Sequence, residues 1–125
     1  MTGTGLTSVV VDGFAIEPAV SGNVLTAVFK GTGDTGAVAP LDGFLDSAAH
    51  EVTLLGVRTV VFDVRALYLL NSSCLKTFLA FIFRITKGEI ACVVRFVVDS
   101  KLGWQRRSLV ALVRMAPAQV FIEDG

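Results

Sequence analysis

The sequence predicts an α/β domain: a mixed sheet of about five strands with helices packed on it, forming one unit over residues 1–125. Three observations predict it. From residue 40 onward, segments of helical periodicity alternate with short β-branched apolar runs. Two strand-like runs precede that alternation. Hydrophobic residues make up 53% of the 125, enough for a single core and too many for a disordered chain.

The opening runs, 8–16 and 24–29, read as a hairpin because Pro18 and Ser21-Gly22-Asn23 favour a turn between them. Gly31-Thr32-Gly33-Asp34-Thr35-Gly36 then breaks the pattern. Leu41, Phe44, Leu45, Ala48 and Val52 recur at helical spacing, which places a helix over 40–55, stopped by Gly56. Residues 58–64 are β-branched and too few for a helix, so they form a buried strand. The next helix covers 72–86 and closes with basic Lys87 and then Gly88. A second buried strand follows over 90–98, with Cys92 filling space in it. Asp99-Ser100 can cap a helix over 102–115, Pro117 ends it, and 119–123 is the last strand. Continuous apolar strands between helices imply a sheet covered by helices, with parallel pairs made by right-handed crossovers.

Bulk properties exclude several functions. Eleven basic residues balance eleven acidic ones, so there is no electrostatic footprint for nucleic acid or an anionic membrane. Arg84 and Lys87 interrupt the longest apolar run short of the roughly 18–20 residues that span a bilayer. Met1-Thr2-Gly3-Thr4-Gly5 lacks the basic start of a signal peptide, and a cytoplasmic location is expected. Cys74 and Cys92 make no disulfide framework, and no metal-ligand spacing occurs. His50, alone beside Glu51, reads as a solvated residue.

The stretch richest in chemistry is Asn71-Ser72-Ser73, where a loop meets an apolar helix. Such residues cap a helix, since a side-chain oxygen accepts from the first backbone N–H groups. The same N–H groups suit a phosphate, and a phosphoserine adds about −1.5 to −2 charges where the helix dipole tolerates them. The arrangement is therefore a plain cap or a charge switch.

Val61-Phe62-Asp63-Val64, a loop, and Asn71-Ser72-Ser73-Cys74-Leu75 together resemble the STAS domain of anti-sigma factor antagonists. The order of elements matches that family over nearly the whole chain. The resemblance implies a regulator rather than an enzyme, with no cofactor and with Ser72, less plausibly Ser73, as phospho-acceptor. Asp63 and Asn71 would support the site. Asn71, Cys74 and Lys76 replace the family's usual Asp, Gly and small residue. With Trp104-Gln105-Arg106-Arg107-Ser108-Leu109, they bring the chain nearer to bacterial STAS-like regulators switched by Ser/Thr phosphorylation. The implied partners are a kinase or anti-sigma-type regulator, bound when Ser72 is unmodified, and a PP2C-type phosphatase; a homodimer stays open. On the helix after Ser72 the apolar stripe is wide, so Cys74, Phe81 and Ile85 are expected at the docking surface with Lys76 and Arg84 on its rim. Trp104 and Met115, opposite the apolar face of the last helix, form a second candidate surface.

Two rival readings rest on residues alone. Gly31, Gly33 and Gly36 match the dinucleotide-binding spacing between a strand and a helix, which suggests a small nucleotide-binding domain. Cys74, near a helix N-terminus, suggests a redox-sensing thiol.

Overall fold

The computed structural model describes residues 6–87 and 92–125. Six strands lie side by side in chain order: β1 (Val9–Val11), β2 (Phe14–Ser21), β3 (Val24–Gly33), β4 (Thr59–Leu70), β5 (Val93–Val98) and β6 (Val120–Asp124). The pairs β1–β2 and β2–β3 are antiparallel, and β3 through β6 run parallel. Helices α1 (Val38–Leu55), α2 (Ser72–Thr86) and α3 (Gly103–Met115) connect the parallel strands.

The extra strand comes from the first run, which divides at Asp12-Gly13 where Gly13 turns the chain at φ 77°. Pro18 is not in the turn. It pairs with Ala27 inside β2, beyond Phe14–Ile16 where β1 lies alongside, so its missing N–H faces an open edge. The hairpin turns at Gly22-Asn23 instead. Helix α1 starts at Val38 after a 3₁₀ turn over Thr35–Ala37, and Pro40 sits in its first turn, where no N–H is needed. Gly56 ends α1 in the left-handed conformation, φ 65°. Asp99 does not cap α3. It accepts from the Lys101 N–H at 2.9 Å, and Leu102 occupies the cap position. The stop at Gly88 and the strand start at Ile90 lie outside the described residues.

Helices cover one face of the sheet, not both. Leu25, Ala27 and Phe29 on β3, Val60, Phe62 and Val64 on β4, and Val94, Phe96 and Val98 on β5 are buried. The residues between them are partly or wholly exposed. Each crossover steps to the next strand in the same direction, so crossovers of one hand fall on one side. There α1 packs on α2 and α2 on α3. The centre of the core is a set of phenylalanines: Phe29, Phe62, Phe78 and Phe96 meet at ring separations of 5.4–5.6 Å.

Strand β4 is longer than predicted and irregular. Its buried side chains fall at Val60, Phe62, Val64, Leu67 and Leu70, steps of two that become steps of three. Against β3, Val64 and Arg65 together oppose Phe29, and Tyr68 has no partner between Leu67 and Leu69. These are bulges: each adds a residue, bends the strand and re-aims a side chain. Pairing with β5 stops at Asp63↔Val97, so β4 continues to Leu70 beside β3 alone.

Candidate functional site

The extended arm of β4 delivers Asn71 and the serines to one corner of the molecule. The Asn71 N–H donates to the Gly33 carbonyl at 2.8 Å, tying the arm to the end of β3. Asn71 is the N-cap of α2: its Oδ1 accepts from the Cys74 N–H at 2.9 Å. Ser72 and Ser73 follow as the first two residues of the helix, so both lie in its first turn. Both are exposed. Neither hydroxyl is hydrogen-bonded to another described residue, whereas Thr77 Oγ1 closes back on the Ser73 carbonyl at 3.0 Å. Lys76, exposed, stands four residues beyond Ser72 on the same helix face.

Two exposed apolar side chains, missed in the sequence, stand just before the serines. Tyr68, the unpaired bulge residue, is 71% exposed, and Leu69 is 48% exposed. The break in period along β4 is the signal that carries them. On the other side of the corner lies Asp34, whose carbonyl accepts from the Cys74 thiol at 3.7 Å.

Asp63 is not part of this corner. Its carboxylate accepts from Arg65 Nε at 3.0 Å, Nη2 at 2.7 Å and the Arg65 backbone N–H at 3.1 Å. Hydrogen bonding from the Arg65 side chain holds the carboxyl below its ordinary value, against the opposing effect of burial. Asp63 lies on the sheet face away from the buried Phe62 and Val64. Seven steps along the strand, at about 3.3 Å each, separate it from Leu70, roughly 20 Å. The predicted loop after Asp63 is strand.

The predicted docking residues of α2 are mostly core. Cys74, Phe81 and Ile85 are buried, and Phe81 packs on Phe62 at 5.4 Å between ring centres. The wide stripe is filled because α1 lies against it, with Arg84 paired across the junction to Asp46. Phe83, also on α2, is exposed. Trp104 is partly buried and packs against the core, which leaves Met115 as the exposed member of the second surface. Lys76 remains on the surface as predicted.

Both rival sites lose their chemistry. Gly31 is required by chain packing: its φ is 97°, and a Cβ there would lie 2.1 Å from the Gly13 carbonyl oxygen. Gly33 abuts the Leu69 carbonyl and Leu70. The N–H groups that would cradle a phosphate are occupied, Thr32 by the Gly13 carbonyl, Gly36 by the Asp34 carboxylate and Ala37 by the Asp34 carbonyl. Strand order 3-4-5-6 also leaves no switch point, the crevice where such folds hold a dinucleotide. Burial raises the Cys74 thiol above its ordinary pKa, with the Asp34 carboxylate adding to it, the reverse of a reactive thiolate. Cys92 is also buried and is pushed up to about 11.

Among solved structures, the chain is similar to an anti-sigma factor antagonist from Mycobacterium paratuberculosis, with a TM-score of 0.68 and 16% identity over 88% of this chain and 86% of that one. It is also similar to the anti-sigma factor antagonist SpoIIAA in its unphosphorylated form, with a TM-score of 0.60 and 15% identity over 90% and 88% of the two chains. No protein-family model and no curated protein matches the sequence. The fold is STAS-like, as the resemblance implies. No helix among the described residues is long and apolar enough to cross a membrane.

Proposed function

We propose that the chain is a protein-interaction module of the anti-sigma factor antagonist kind, switched by phosphorylation of Ser72. One observation carries the reading. An exposed hydroxyl stands at the first position of α2, immediately after a strand arm that exposes Tyr68 and Leu69. Unmodified, the corner offers an apolar contact and a polar rim at Lys76 to a kinase or anti-sigma-type regulator. A kinase moves the γ-phosphoryl group of ATP to Ser72 Oγ; the hydroxyl proton leaves and ADP is released. The phosphate adds about −1.5 to −2 charges, which the α2 dipole and Lys76 favour in the free protein but which an apolar interface must desolvate. A PP2C-type phosphatase returns the hydroxyl by hydrolysis. Ser72 precedes Ser73 as acceptor because it holds the acceptor's place in the STAS-like segment.

The test is incubation with a cognate serine kinase and ATP, followed by mapping of the modified residue by mass spectrometry. One phosphate on Ser72, none on Ser73 and none in Ser72→Ala is the expected result. Phosphate on Ser73, or on neither serine, overturns the assignment. In partner-binding measurements, Ser72→Asp and Tyr68→Ala should each weaken affinity about tenfold or more, while Lys76→Ala should cost about 1 kcal/mol or less because rim charges are solvated. Unchanged affinity in both of the first two variants would place the interface elsewhere.

A further inference from the structure

We propose that Gln105 is the positioning residue for the arm that presents Ser72, standing beside β4 where β5 has left it. The proposal rests on the switch reading above for its functional consequence, but its geometry is independent of phosphorylation. Pairing between β4 and β5 ends at Asp63↔Val97, and the chain turns after Val98 into α3. The arm beyond Asp63 still runs through the interior, with Val64 1% and Leu67 0% exposed. On the side that β5 has left, its carbonyls need donors that no strand supplies.

Gln105, itself 1% exposed on α3, supplies them. Its Nε2 donates to the Val64 carbonyl at 2.7 Å and to the Leu67 carbonyl at 3.0 Å. Its Oε1 accepts from the Asp99 N–H at 2.8 Å, the point where β5 gives way to α3. Both N–H groups and the oxygen of the carboxamide are thus engaged. The Val64 carbonyl lies within the bulge at Val64 and Arg65, and the Leu67 carbonyl lies just before the one at Tyr68. One side chain therefore sets the bend that turns Tyr68 outward and brings the Asn71 N–H to Gly33. A buried glutamine that merely filled the core would not need to bridge the end of one strand, the bulge of another and the start of a helix.

The test is native-state hydrogen exchange by NMR on the full chain and on Gln105→Met, which keeps the side-chain length and removes all three bonds. Two buried carbonyls lose their donor, so the Asn71 and Cys74 amides should exchange about 10- to 100-fold faster, while amides of the β2–β3 hairpin keep their rates. Equal acceleration in hairpin and arm, or none in either, overturns the proposal. If Gln105→Met does not fold, the wild type decides. The Gln105 carboxamide hydrogens should exchange through the same sub-global opening as the Asn71 amide, and exchange through global unfolding alone refutes the role. Phosphorylation of Ser72 in the variant is read separately. Absence of phosphorylation in the wild type would remove the switch reading and leave the arm result standing. A loosened arm phosphorylated at the wild-type rate, with partner affinity unchanged, would remove the link to Ser72.

Discussion

Asp63 and Arg65 are two residues apart on one strand and so share a face, where Arg65 closes a bidentate pair on the Asp63 carboxylate. That pair draws the carboxyl below the ordinary value of 3.8, while burial pulls the other way. The sign follows: the pair stabilises the fold above pH 3.8, and the contribution is lost as pH falls through the lower, folded-state value. In Arg65→Ala the two side-chain hydrogen bonds and the positive charge go, while the burial and the bond from the residue 65 backbone N–H stay, so the Asp63 carboxyl should titrate higher than in the wild type, followed by NMR of its side-chain carbon. An unchanged titration in that variant would mean that the Arg65 side chain does not hold the carboxyl down. At the same scale, Asn71 shows why a capping residue is not itself a surface feature. Its oxygen is committed to the Cys74 N–H, which leaves the two serine hydroxyls as the exposed chemistry.

The glycine cluster after the hairpin shows at element scale how a motif's spacing can arise from packing. Gly31 approaches Gly13 too closely for any Cβ, at a φ of 97° that side chains avoid, whereas Gly36 is exposed and meets only the end of the Asp34 side chain at 3.4 Å. Gly31→Ala should therefore destabilise the chain by at least about 2 kcal/mol and Gly36→Ala by no more than about 0.5 kcal/mol, measured by urea unfolding. A dinucleotide loop would make the opposite demand, with both glycines needed for a ligand rather than for folding. Legibility also divides along elements. Helix α2 is plain in the sequence, because Asn71 caps it and Leu75, Phe78, Leu79 and Ile82 keep one helical stripe. Strand β4 is not, because a period of two fails at Val64 and the steps of three that follow mimic neither helix nor regular strand. The width of a stripe also cannot say what covers it, which is why Phe81 and Ile85 read as surface. Gln105 was hidden for the converse reason: a polar residue among arginines reads as solvent-facing, and only the end of β5 creates the need it meets.

At the scale of the whole molecule, one buried layer between sheet and helices holds the fold, and its centre is aromatic. Phe62 touches Phe29, Phe78, Phe81 and Phe96, joining three strands and a helix. Phe62→Ala should cost about 3–5 kcal/mol, a large share of the roughly 5–15 kcal/mol that a domain has in total. Urea unfolding followed by circular dichroism should record a strongly lowered midpoint; a shift equivalent to less than about 1 kcal/mol would mean that the ring's neighbours close over the cavity.

The strands also lie in the sheet in the order in which they occur in the chain. Each new strand therefore finds its partner already in place as the polypeptide leaves the ribosome, with no gap held open for a later segment. Assembly can run in one direction, from the first hairpin outward, and β6 is the last strand to dock. A chain cut short after β5 would lose an edge and keep its middle, so damage from the carboxyl end erodes this sheet strand by strand rather than splitting it.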